Sequence, residues 1–139
     1  MLAPVATPAG AYVPAVRSGS LVFTAGQLPL VDGVLAASGK LGAEIDTIHG
    51  QGLARTCMLN ALAAVDGLVG LDAVVRMVKV TGFVASAPGY TVQPAVLNGA
   101  SDLLGEVFGV AGAHARSAVG VAELPLGAPV EIELVVEVS

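Results

Sequence analysis

Basic residues are scarce in this chain. Six Lys plus Arg stand against eleven Asp plus Glu in 139 residues, for a net charge of -5. Affinity for a phosphate backbone rests on clustered Lys and Arg, and here they are scattered, so a nucleic acid is not the expected partner. Tryptophan is absent and aromatics make up 4%, which removes the aromatic and basic interleaving that RNA readers use. The lone cysteine, Cys57, cannot form an intrachain disulfide, which fits a reducing cytosol and a cytoplasmic protein. It sits in a helical pattern among apolar neighbours, where a thiol is a buried structural group rather than a nucleophile.

Long hydrophobic runs are also missing. A spanning helix needs about 20 consecutive apolar residues. The longest uncharged stretch, 80 to 101, is broken by Gly82, Pro88, Gly89 and Pro94, so no membrane span is expected. The opening "MLAPVATPAGAY" has neither a basic segment nor a continuous apolar one, and does not read as a signal peptide. No zinc-type spacing exists, since His49 and His114 are 65 residues apart beside one Cys. No phosphate-binding loop, dinucleotide fingerprint or locally supported Ser-His-Asp triad is found.

Apolar residues, by contrast, are in excess. The chain is 55% hydrophobic and 12% charged, with a mean hydropathy of +0.82. With no membrane span to hide that surplus, association with copies of itself is the expected outcome, because obligate interfaces resemble a domain core cut in half. The length suits one domain over residues 1–139.

Periodicity supplies the elements. Strand-like runs Tyr12–Arg17 and Leu21–Gln27 flank "SGS" and read as a hairpin, and "LVDGVL" as a tight reversal at Asp32-Gly33. Asp46 or Thr47 caps a helix whose apolar stripe is Ala54, Cys57, Ala61, Val65 and Leu68, ended by Gly70. A central strand over Ala73–Ser86 precedes a second helix, about Val96–Phe108, with Pro94 at its start. Strands Ser117–Glu123 and Val130–Val138 close the chain. In the last, Val130, Ile132, Leu134, Val136 and Val138 take one face while Glu131, Glu133 and Glu137 take the other. Two helices on one sheet make an α+β layered fold, whose second sheet face is left for packing against copies.

Arg116, at the head of an apolar strand, is the residue that needs explaining. Its guanidinium stays charged and matches a carboxylate bidentately. Glu131, Glu133 or Glu137 would make it half of a structural ion pair, and a hairpin about "LPLGAP" would set it near Glu137. Otherwise it is an anion hook for a ligand. The residues alone leave both open.

The stretch "HARSAVGVAELPLGAPVEIE" resembles the carboxy-terminal signature of the RidA/YjgF family, the reactive intermediate deaminases. "AYVPAVRSGSLVFTAGQLPL" is similar to that family's opening hairpin and Ser-Gly-Gln turn, and "LNALAAVDGLVGLDAVVRMVKVTGFV" to its first helix and central strand. The resemblance implies a chorismate-mutase-like α+β fold, a mixed β-sheet packed on two helices. It also implies a homotrimer with sites between subunits, and a central strand that separates the last two. The implied activity is hydrolysis of enamines and imines such as 2-aminoacrylate or 2-iminobutanoate to 2-keto acids and ammonia, with neither metal nor cofactor. Carried onto this sequence, Arg116 holds the substrate carboxylate and Glu131 handles the water and the proton. Tyr12, Asn98, Ala25 and Gly26 line the cleft. The partner is thus a small carboxylate-bearing imine or enamine; the alternative is a member that binds a small carboxylate or a protein without catalysis. The chain departs from the family where Ala25-Gly26-Gln27 replaces Ser-Gly-Gln, and where His114 stands at a position commonly proline. With "NGASDLLGEVFG", these mark a distinct subgroup.

Overall fold

A computed structural model describes residues 2–139. The chain begins with β1 (Ala15–Ser18) and β2 (Leu21–Thr24), then the two-residue strands β3 (Leu30–Val31) and β4 (Val34–Leu35). After these come α1 (Thr47–Val69), β5 (Val74–Ala85), α2 (Gln93–Phe108), β6 (Ala115–Val121) and β7 (Val130–Val138). Five strands form one sheet in the order β1-β2-β7-β5-β6, while β3 and β4 pair separately. Within this sheet β5 and β6 run parallel, joined through α2, and the other paired neighbours run antiparallel. This is the mixed sheet on two helices that the family resemblance implied, and it is α+β as the residue pattern had it.

Local chemistry sets the ends of α1. Asp46 Oδ1 accepts from the His49 backbone N–H at 2.7 Å, satisfying a donor that the first turn leaves free. Gly70, at φ 82°, takes the terminating position that side chains avoid. The buried side of α1 runs from Leu53 through Val65, and Leu68, expected on the stripe, is 45% exposed. Helix α1 has the length and apolarity of a membrane span. It is nonetheless the core helix, with Leu53, Met58, Leu62 and Val65 packed in one cluster with Val22, Met77, Val80, Leu97, Ile132 and Leu134. Each such side chain contributes about 1.5–3 kcal/mol by leaving water.

Helix α2 begins at Gln93, three residues before the expected start, with Pro94 in its first turn, where the missing N–H costs nothing. Strand β6 begins at Ala115, two residues early, because it pairs with β5 from Lys79 onward. The segment between β6 and β7 is not a hairpin: β5 lies between them. That places β6 on one side of β5 and β7 on the other, and separates Arg116 from Glu137.

Strand β7 alternates as its sequence does, burying Val130, Ile132, Leu134, Val136 and Val138 against the helices. The helices cover that face only. The opposite face carries Val16, Phe23 and Val119, 52%, 43% and 45% exposed, together with Glu131, Glu133 and Lys79.

Candidate functional site

Strand parity decides where Arg116 points. It pairs with Val80, which pairs in turn with Leu134, and both of those are buried beneath the helices. The guanidinium therefore lies on the helix side, at the β6 edge, against α2. Nη1 donates to Asn98 Oδ1 at 2.8 Å and to Ser101 Oγ at 3.2 Å, and Nη2 donates to the Pro94 carbonyl at 3.3 Å. Pro94, Asn98 and Ser101 are spaced i, i+4, i+7, which puts them on one face of α2.

None of these acceptors is charged. Among the described residues the ion pairs are Lys40–Glu123 and Arg55–Glu106, and neither includes Arg116. The structural ion pair open at the sequence level is thus not formed. Arg116 is held in place while its positive charge stays uncompensated.

Glu131 occupies the other face. Its row across the sheet is Val119, Phe83, Glu131, so an aromatic ring stands next to the carboxylate at cross-strand distance. On the far side, β2 and β7 lose regular pairing after Phe23–Val135 and regain it at Gln27–Ile132. Three residues on one strand oppose two on the other, and the Thr24 hydroxyl fills the gap by accepting from the Leu134 N–H at 3.0 Å. Gln27 N–H then donates to the Ile132 carbonyl at 2.8 Å, and Ile132 N–H back to Gln27 at 3.0 Å. This bulge brings Gly26 against Glu131. A Cβ on Gly26 would stand 2.5 Å from Glu131 Oε2 and 2.8 Å from its Cδ, so only glycine leaves space for the carboxylate. Burial raises the pKa of Glu131 from its ordinary value, and the nearby charge of Glu133 raises it further.

Tyr12 and Gly26 both line a cleft of about 180 Å³, with Gln27, Leu28 and Leu126 on its walls. The Tyr12 hydroxyl accepts from the Ala9 N–H at 3.2 Å. Ala25 is half-buried and donates its N–H to the Pro14 carbonyl at 2.8 Å, tying the bulge to the segment that carries Tyr12.

The predicted residues therefore fall into two groups. Arg116 and Asn98 form one end; Glu131, Gly26, Ala25 and Tyr12 form the other. Two strand spacings and three residues along a strand separate Arg116 from Glu131, roughly 14 Å between Cα atoms, and the two point to opposite faces. Within one chain they do not converge.

Ser101 and His114 also belong to the arginine end. Ser101 Oγ lies 2.9 Å from His114 Nε2, and His114 Nδ1 lies 2.7 Å from the Gly112 carbonyl oxygen. The sequence signal for Ser101 was its helical spacing from Asn98. The buried Cys57 donates its thiol to the Val130 carbonyl at 3.6 Å, and burial followed by the Glu131 charge pushes its pKa well up. It is the inert core thiol expected. Among the described residues no group of His, Cys, Asp and Glu is arranged to hold a metal.

Comparison with known proteins places this geometry. Residues 3–138 match the family described as endoribonuclease L-PSP. Protein TCP17 of Trypanosoma cruzi is 46% identical over 136 residues, 96% of this chain and 85% of its own. The crystal structure of Atu1372 from Agrobacterium tumefaciens matches with TM-score 0.92 at 43% identity, over 95% of this chain and 85% of that one. The E. coli protein TdcF, solved with bound serine, matches with TM-score 0.69 at 29% identity, over 99% of this chain and 94% of that one.

Proposed function

The chain belongs to the endoribonuclease L-PSP family, that of the E. coli YjgF product, and on that premise we propose that it is an enamine and imine deaminase. Its substrates are 2-aminoacrylate or 2-iminobutanoate type intermediates, which it converts to 2-keto acids and ammonia. The observation that carries this reading is Arg116, fixed by three neutral acceptors with no acid beside it. A guanidinium so held is complementary to a substrate carboxylate, and the serine bound by TdcF is a small molecule with such a group.

In this mechanism Arg116 anchors the carboxylate and sets the imine carbon where water reaches it. Glu131 takes a proton from the attacking water as its oxygen bonds to that carbon, and the C=N electron pair moves onto nitrogen. The proton held by Glu131 then passes to that nitrogen, giving a carbinolamine. Glu131 next takes the proton of the new hydroxyl and hands it to the amino group as the C–N bond breaks, the O–H electron pair becomes the second C–O bond, and ammonia leaves the keto acid behind. A carboxylate whose pKa is raised suits both the uptake and the return of that proton. Because the two ends lie on opposite faces of one chain, the reading includes a homotrimer in whose clefts the Arg116 end of one subunit meets the Glu131 end of its neighbour. The exposed Val16, Phe23 and Val119 supply the surface for that assembly.

The family's ribonuclease name fits this chain poorly, given a net charge of -5. A second reading, a non-catalytic carboxylate binder, draws on Ala25, which stands where the family resemblance implies a serine hydroxyl. One experiment separates the two. The imines are generated enzymatically in solution and keto-acid release is followed with wild type, Arg116→Ala and Glu131→Gln. Deaminase function predicts acceleration by wild type, lost in Arg116→Ala and reduced about 100-fold or more in Glu131→Gln. A wild type that binds keto acid without accelerating hydrolysis supports the binder instead.

A further inference from the structure

The partners of His114 determine its tautomer. Its Nδ1 faces the Gly112 carbonyl at 2.7 Å. A carbonyl can only accept, so Nδ1 carries the proton. In the neutral ring Nε2 is then an acceptor, and the atom facing it at 2.9 Å is Ser101 Oγ. Ser101 must donate to His114. Its lone pairs are thereby left for Arg116 Nη1, which donates into them from 3.2 Å.

We propose that Ser101 and His114 are positioning residues for Arg116. Arg116 donates to Ser101, Ser101 to His114, and His114 to the Gly112 carbonyl, so every hydrogen in the chain has one direction. Asn98 Oδ1 and the Pro94 carbonyl hold the guanidinium from the same helix. Three N–H groups are used and two of the five remain for an incoming carboxylate. Unlike a carboxylate partner, which would also fix the arginine, this neutral chain fixes it without cancelling its charge. A long side chain that is already ordered gives up less freedom when the ligand binds, so the arrangement favours ground-state capture of the anion.

The inference rests on Arg116 being the carboxylate hook, and the experiment keeps the two questions apart. The intact protein is titrated with 2-oxobutanoate by calorimetry, and imine hydrolysis is assayed in parallel, for wild type, Ser101→Ala, Ser101→Thr, His114→Ala and His114→Gln. Ser101→Ala and His114→Ala are expected to raise both Kd and KM about tenfold while kcat changes less than about twofold. Thr restores the hydroxyl, and Gln offers an amide oxygen at the reach of Nε2, so both return Kd to near wild type. Should His114→Ala unfold, His114→Phe keeps the ring's bulk without its nitrogens and is expected to show the same loss.

A purely structural role would lower thermal stability and kcat together, with no rescue pattern. That result, or folded alanine variants with wild-type Kd and KM, overturns the proposal. If wild type binds keto acid but accelerates no imine hydrolysis, the deaminase reading fails while the Kd series still decides the positioning role. If neither binding nor hydrolysis occurs, the hook itself is refuted, and the positioning role with it.

Discussion

Glu131 is the residue whose chemistry depends most on its surroundings. Burial and the charge of Glu133 both raise its pKa. In the proposed hydrolysis Glu131 acts as the base and must be ionised before substrate binds, so kcat/KM should rise with pH through a midpoint above the ordinary glutamate value. Glu133→Gln removes the like charge and should move that midpoint down, toward the ordinary value; an unmoved midpoint would mean that another group titrates. Gly26 offers a separate test. The atoms a new Cβ would meet belong to the flexible end of Glu131, so Gly26→Ala displaces the carboxylate without straining the backbone. Expected are a melting temperature within a few degrees of wild type and kcat/KM lower by about 10- to 100-fold. Equal loss of stability and activity would instead make Gly26 a purely structural position. Arg116 stands out in the sequence as a charged residue at the head of an apolar strand, whereas strand pattern alone leaves Glu131, Glu133 and Glu137 equivalent and only the family resemblance singles out Glu131. Ser101 and His114 were not singled out as partners, because nothing local indicates that residues 101, 114 and 116 meet; the parallel pairing of β6 on β5 brings them together.

At the scale of elements, the close approach of α1 and α2 is what holds the arginine end in place. A Cβ on Gly99 would collide with the backbone of Gln51, at its carbonyl, and backbone cannot swing aside as a side chain does. Gly99→Ala should therefore push α2 outward and destabilise the fold by about 1–3 kcal/mol, read as a shift in urea midpoint. Because α2 carries Pro94, Asn98 and Ser101, the same variant should raise KM. A stable variant with unchanged KM would show that α2 can shift without moving the Arg116 guanidinium. Hydrophobic period gave the type and order of every main element, including the alternation of β7, which matches its burial residue by residue. What period could not show is which strands are neighbours. The loop over 122–129 has the length and the Pro-Gly content of a hairpin connection, yet it crosses β5. That choice depends on long-range pairing, and it settles whether Arg116 meets Glu137.

For the whole molecule, the proposed assembly would account at once for the surplus of apolar residues and for the separation of Arg116 from Glu131. Helices cover one face of the sheet; the other presents Val16, Phe23 and Val119 beside Glu131. If that face packs against the α2 and β6 edge of a second copy, association hides apolar surface and completes the site in one step. Complementation tests this directly. Arg116→Ala keeps an intact Glu131 end and Glu131→Gln keeps an intact Arg116 end, and each is expected to be nearly inactive alone. When the two are co-refolded in equal amounts, each interface draws its two subunits independently, so about a quarter of the sites should combine two wild-type ends. Recovery of imine hydrolysis to about that fraction of wild type would place the ends on different subunits. If both ends came from one chain, every site in the mixture would carry one lesion, and activity would stay at the level of the separate variants whatever the mixing ratio.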